Sequence, residues 1–160
     1  YVETSSEMYE SVKEKVSDFD IFISTAAIAD YKPANYSDIK YKKNKNNITI
    51  EFTRGIDILE TISKNHKNLF TVGFAAETNS LKENSEQKLA KKNLDIIVGN
   101  IANHELKLGF ESDYNEVIML SNTNSKKINH DKKSNIANKI LDFIAIEYSN
   151  KLQLVKNNVK

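Results

Sequence analysis

The stretch FTVGFAAETNSLKENSEQKLAKKNLDIIV, residues 70–98, decides the fold. It opens on a short apolar run, Phe70 to Phe74, and closes on another, Leu94 to Val98. Between them lies a polar segment with helical spacing, opened by the capping-box pattern Ser80-Leu-Lys-Glu83 and running to about Asn93. Continuous rather than alternating apolarity suits strands buried on both faces, so this is a strand–helix–strand unit of a parallel sheet. A third run of the same kind, Asp20 to Ile28 (DIFISTAAI), precedes it, and Glu116 to Leu120 (EVIML) reads as an edge strand.

Further helices fill the gaps. Ser5 or Ser6, after a strand end at Tyr1 to Thr4, caps a helix carrying Met8, Val12 and Val16. Asp57 caps a second, with Glu60 three residues on. A closing helix runs from Ser134 to about Leu152, with Ile136, Ile140, Phe143 and Ile144 on its apolar stripe. Two segments break the rhythm. Residues 31–47 hold the only proline and a lysine cluster, and Ile48 to Phe52 alternates; together they predict a β-hairpin at about Ile39 to Phe52. Ile101 to Asn115 reads as a long loop on a rigid scaffold, a common place for function.

The composition excludes several classes. The 160 residues suffice for one domain with a hydrophobic core, 39% apolar and 28% charged. Lys+Arg total 23 against 22 Asp+Glu, which gives a net +1 and no signature of a nucleic-acid binder. Cysteine is absent, which removes disulfides, thiolate zinc sites and a Cys nucleophile. The four glycines, Gly55, Gly73, Gly99 and Gly109, are too far apart for a dinucleotide fingerprint or a P-loop. His66, His104 and His130 are isolated and suggest no zinc site, and the two lysine doublets Lys126-Lys127 and Lys132-Lys133 read as solvated turn charge. No apolar run is long enough for a membrane span and no signal-peptide pattern opens the chain, so a cytoplasmic protein is expected.

Open parallel sheets bind ligands at the carboxyl ends of their strands. Ala26, Ala27 and Asp30 follow the first apolar run, Phe74, Ala75, Ala76 and Glu77 end the second, and Asn100 follows the third. Small residues there admit a ligand close to the backbone or, equally, allow tight strand–helix packing. A neighbouring carboxylate such as Asp30 can take a ribose hydroxyl or a metal. Lys88 and Lys92 lie four apart on one helical face, where two ammoniums can reach one polyanion or simply meet solvent. Lys40, Lys42 and Lys43 on the expected hairpin are equally ambiguous, and the start of the Asp57 helix offers unpaired N–H groups to a phosphate.

Taken in order, Ala26-Ala-Ile-Ala-Asp30-Tyr-Lys-Pro33, Lys40-Tyr-Lys-Lys43, Asp57-Ile-Leu59, Val72-Gly-Phe-Ala-Ala-Glu-Thr78, Lys88-Leu-Ala-Lys-Lys92-Asn-Leu-Asp95, Asn100 and Gly109-Phe-Glu-Ser-Asp-Tyr-Asn115 resemble bacterial phosphopantothenoylcysteine synthetase over nearly the whole chain. The resemblance implies an α/β, mainly parallel, Rossmann-like three-layer fold with the hairpin as a flap. It implies a ligase that joins 4′-phosphopantothenate to cysteine in coenzyme A biosynthesis. The carboxylate would attack the α-phosphate of CTP, and cysteine would then displace CMP from the acyl-cytidylate. Lys40 would be catalytic and also touch the nucleotide. Ala26, Ala27, Asp30, Ile56, Asp57, Ile58, Leu59, Phe74, Lys88 and Lys92 would bind the nucleotide, and Asn100 is assigned to the acid substrate. Mg²⁺ would accompany the phosphates, with Asp30 as its candidate ligand, and FMN would belong only to a preceding decarboxylase domain. The family's Gly-rich strand–loop and S-N-x-S-S-G stretch have no counterpart, so residues 1–160 are expected to be the C-terminal portion of the ligase domain. Ile56 stands where the family usually has proline. A homodimer through the hairpin is implied, with no nucleic-acid or membrane partner. The competing expectation is a non-catalytic nucleotide-binding or assembly module of the same fold.

Overall fold

The computed structural model describes residues 1–35, 37, 39–40, 47–101 and 112–158. Five strands form one sheet: β1 (Ile21–Ser24), β4 (Phe70–Glu77), β5 (Ile96–Ile101), β6 (Tyr114–Ser121) and β7 (Ser125–Lys132), in the order β1-β4-β5-β6-β7. The first two pairings are parallel, with Ile21 opposite Phe70 and Val72 opposite Ile96. The next two are antiparallel, with Val98 opposite Met119 and Val117 opposite Ile128. The fold is α/β and Rossmann-like, as expected, and the strand–helix–strand unit of residues 70–98 is its centre.

Helices cover both faces. α1 (Ser5–Lys15), α2 (Ile58–Asn65) and α3 (Leu81–Lys91) lie on one side, and α4 (Lys133–Asn158) lies on the other. The alternation of strand side chains produces this division. Val72, Ile96, Val98, Val117 and Met119 pack with Ile136, Ile140, Phe143 and Ile144 of α4. Their neighbours Ala75, Ile97 and Leu120 point the other way, to Leu59 of α2 and Leu89 of α3. Burying one such side chain contributes about 1.5–3 kcal/mol, so a strand apolar on both faces is held twice. Gly73 permits the close approach of α2. A Cβ there would lie 2.6 Å from Leu59 and 2.9 Å from Leu94.

Local differences from the sequence reading have local causes. Residues 1–3 form no strand, and Thr4 rather than Ser5 or Ser6 caps α1. Its hydroxyl accepts from Glu7 N–H at 3.1 Å while the Glu7 carboxylate accepts from Thr4 N–H at 3.2 Å. Ser80 precedes α3 in the left-handed region (φ 43°), and its hydroxyl makes no cap bond. β6 is not the edge strand, because β7 lies outside it. β7 carries a single buried side chain, Ile128, and therefore gives no apolar run. Lys126 and Lys127 belong to this edge rather than to a turn, and Lys127 pairs across the ladder with Glu116 at 3.1 Å. Lys132 ends β7 and Lys133 begins α4, which extends beyond the expected Leu152 to Asn158.

The hairpin is displaced from its expected position. β2 (Tyr31–Pro33) and β3 (Phe52–Arg54) pair antiparallel as a separate ribbon, with Tyr31 opposite Arg54, and a bond from Ala34 N–H to Glu51 O extends it. Ile48 to Ile50 are not in a strand. Ile48 and Ile50 are more than half exposed, so no apolar face rewards continued pairing there. Lys42, Lys43 and most of the loop before Asn115 lie outside the described residues. Among the described residues, no helix is long and apolar enough to cross a membrane.

Candidate active site

The carboxyl ends of β1, β4 and β5 open into a cavity of about 700 Å³. β1 supplies its first wall because the chain leaves Ser24 through Ala26, Ala27 and Asp30, all with short side chains. A bond from Gly55 N–H to the Asp30 carbonyl (2.8 Å) ties this segment to the chain entering α2. Ile56, Asp57, Ile58 and Leu59 at the start of α2 form the second wall. Phe74 and Asn100 come from β4 and β5, and Lys88 and Lys92 come from the end of α3. Every residue assigned from sequence to the nucleotide or the acid substrate is therefore gathered here, except Lys40.

Lys40 does not line the cavity. It is exposed, in the segment between β2 and β3.

The two α3 lysines are fixed by carboxylates. Lys88 Nζ lies 2.6 Å from Glu77 Oε1, and Glu77 also accepts from the Asn84 amide at 3.2 Å. Lys92 Nζ lies 2.8 Å from Asp57 Oδ2. The other oxygen of Asp57 caps α2 by accepting from Glu60 N–H at 3.0 Å. Burial works to raise the Asp57 pKa. The hydrogen bonds from Lys92 and Glu60 N–H, with the positive charges of Lys92 and Arg54, outweigh it and hold the group below its ordinary value. The site thus presents two ammoniums, each paired with a carboxylate.

Phe74 departs from the burial of its strand. Residues 70–73 of β4 are buried, whereas Phe74 is 38% exposed at the cavity mouth. An aromatic face left open beside small residues can stack on a planar ligand.

Asn115 and Lys133 also line the cavity, although sequence reasoning gave neither a role. Asn115 ended a motif without an assigned contact, and Lys133 was half of a lysine doublet. Only the turn from β7 into α4 brings Lys133 to the site, and no local pattern encodes that. Among the described residues, no group of three or more His, Cys, Asp or Glu side chains is placed to hold a metal.

Residues 1–148 match the family model described as the DNA/pantothenate metabolism flavoprotein C-terminal domain. The chain belongs to this family. Its curated relatives include the "Coenzyme A biosynthesis bifunctional protein CoaBC" of Vibrio vulnificus (strain CMCP6), 38% identical over 143 residues, which cover 88% of this chain and 35% of the relative. The protein of the same name from Escherichia coli (strain K12) is 34% identical over 155 residues, covering 94% of this chain and 38% of the relative. The chain spans little more than a third of the length of these relatives. The crystal structure of the C-terminal domain of a Coenzyme A biosynthesis bifunctional protein CoaBC superposes with a TM-score of 0.71 at 28% identity, covering 94% of this chain and 64% of that one. A Streptococcus pneumoniae DNA/pantothenate metabolism flavoprotein shares the fold, with a TM-score of 0.73 at 15% identity over 91% of this chain and 71% of that one. Membership in the flavoprotein C-terminal domain family explains the shared fold; the cavity carries the argument for chemistry.

Proposed function

We propose that this chain is the synthetase portion of a coenzyme A biosynthesis enzyme, a phosphopantothenate–cysteine ligase that uses CTP. The observation that carries the reading is the convergence of Ala26, Ala27, Asp30, the α2 start, Phe74, Lys88 and Lys92 on one cavity at the carboxyl edge of the sheet. The curated relatives, named for coenzyme A biosynthesis, support the pathway.

In this reading the Phe74 ring faces the base, and Ala26 and Ala27 let the nucleotide lie against the backbone. Lys88 and Lys92 hold the triphosphate, and the Ile56 to Leu59 segment closes over the sugar and phosphates. The acid carboxylate attacks the α-phosphate, the bond between the α- and β-phosphates breaks, and pyrophosphate leaves. The amine of cysteine then attacks the acyl carbon of the mixed anhydride, and CMP departs. Lys40 neutralises charge growing on the α-phosphate, reaching it from the β2–β3 extension when that flap covers bound substrate. Mg²⁺ would neutralise phosphate charge, held by the phosphates with Asp30 as a single protein ligand; that suits a cation which keeps waters and takes few carboxylates. FMN is proposed only for a decarboxylase domain of a longer parent. A homodimer formed through the β2–β3 extension fits the exposure of Ile39, Ile48, Ile50 and Phe52 along it.

The exposed position of Lys40, outside the cavity lining, favours one second reading, a nucleotide-binding module that does not turn over alone. Pyrophosphate release from CTP, dependent on 4′-phosphopantothenate, tests the ligase. CTP binding without release supports the module, and preference for ATP overturns the nucleotide assignment.

A further inference from the structure

We propose that Lys133 and Asn115 anchor the phosphate of the acid substrate, at the end of the cavity opposite the nucleotide lysines. The proposal rests on the ligase reading and adds a contact to it.

Sheet geometry supplies the first argument. Lys88 and Lys92 reach the cavity from the face on which α3 packs against Ala75 and Ile97. Lys133 reaches it from the opposite face, where α4 packs against Ile96 and Val98. Phe74 of β4 and Asn100 of β5 line both this cavity and the adjoining groove of about 360 Å³ beneath α4, as do Asn115 and Lys133. A substrate with an anion at each end must bring its carboxylate to the nucleotide α-phosphate. Its other anion then needs a cation across the strand ends.

Charge supplies the second. Lys88 and Lys92 are matched by Glu77 and Asp57, but Lys133 is in no ion pair among the described residues. The carboxylate two residues before it, Asp131, is engaged otherwise. Asp131 accepts from Lys139 Nζ at 2.7 Å, Asn135 Nδ2 at 2.9 Å and Lys132 N–H at 2.8 Å. Asp113 offers its backbone carbonyl, which accepts from Lys133 N–H at 2.8 Å and fixes the helix start against β6. Asn115 Oδ1 accepts from Glu116 N–H at 2.9 Å, which orients the amide and leaves its NH₂ as a donor. An ammonium and an amide donor on one wall suit phosphate oxygens.

Calorimetric titration of this chain with 4′-phosphopantothenate, pantothenate and CTP tests the anchor. The wild-type chain is expected to prefer the phosphorylated acid about tenfold or more, as one charge-assisted contact would give. Lys133→Gln should erase that preference, leave pantothenate and CTP affinities unchanged, and be partly rescued by Lys133→Arg. Lys88→Gln should weaken CTP instead. The anchor is refuted if the wild-type chain shows no preference for the phosphorylated acid, if Lys133→Gln retains it, or if the substitution weakens CTP. Should the chain fail to bind CTP while Lys133→Gln still removes the phosphate preference, the nucleotide reading falls and the anchor stands.

Discussion

Asp57 holds an α2 N–H with one carboxylate oxygen and Lys92 with the other, so its two functions can be separated. Asp57→Asn keeps a capping oxygen and removes the charge that restrains Lys92, whereas Asp57→Ala also removes the cap. Urea unfolding should show the alanine variant less stable by about 1 kcal/mol through the cap alone, with the asparagine variant between it and wild type. The lysines divide similarly. If Lys40 acts in the transition state, Lys40→Gln should lower kcat about a hundredfold, roughly 3 kcal/mol, with nucleotide KM little changed. Lys88→Gln should instead raise nucleotide KM with a smaller effect on kcat. Steady-state kinetics with CTP varied distinguish the two patterns, and a pure binding defect in Lys40→Gln would refute its assigned role. At this scale the sequence was informative where a motif surrounded the residue, as for Asp30 or Lys92, and silent for Lys133, whose place depends on a turn between β7 and α4.

Among elements, the junction of β7 and α4 has a measurable acid signature. Hydrogen bonds from Lys139, Asn135 and Lys132 N–H lower the Asp131 pKa from 3.8 to about 2. Because the folded value is the lower one, this group contributes stability above pH 3.8 and loses it as the pH falls toward 2. Melting temperatures followed over that interval should fall less steeply for Asp131→Asn than for wild type, from a lower starting point at neutral pH. An equal slope would mean that the clamp is not formed. The contact between α2 and β4 depends on Gly73. In Gly73→Ala the new methyl would press on Leu59 and Leu94, and an overpacking cost of about 1–3 kcal/mol should appear in chemical denaturation. Nucleotide affinity should fall with it, because Leu59 also lines the cavity. The strands β1, β4 and β5 were legible because each is an apolar run. β7 was not, since an edge strand with one buried residue follows the composition of a loop.

For the whole molecule, the β2–β3 extension carries exposed apolar side chains, and pairing with a second copy would cover them. Light scattering at micromolar concentration should report a dimer, and Ile48→Lys with Ile50→Lys should shift it toward monomer without lowering the melting temperature of the sheet. A wild-type monomer would refute the assembly. The sequence by itself determined the α/β class, the central strand–helix–strand unit, the Asp57 cap and the cluster of residues at the strand ends. Those features depend on apolar periodicity and on contacts within a few residues, which a linear pattern records. Tertiary structure alone decided the antiparallel continuation through β6 and β7, the separate β2–β3 ribbon, the pairing of Lys88 with Glu77 and Lys92 with Asp57, and the arrival of Lys133 from the opposite face. The reason is physical. Whether a polar strand finds an edge, or a lysine finds a carboxylate, depends on surfaces that exist only after the core has packed.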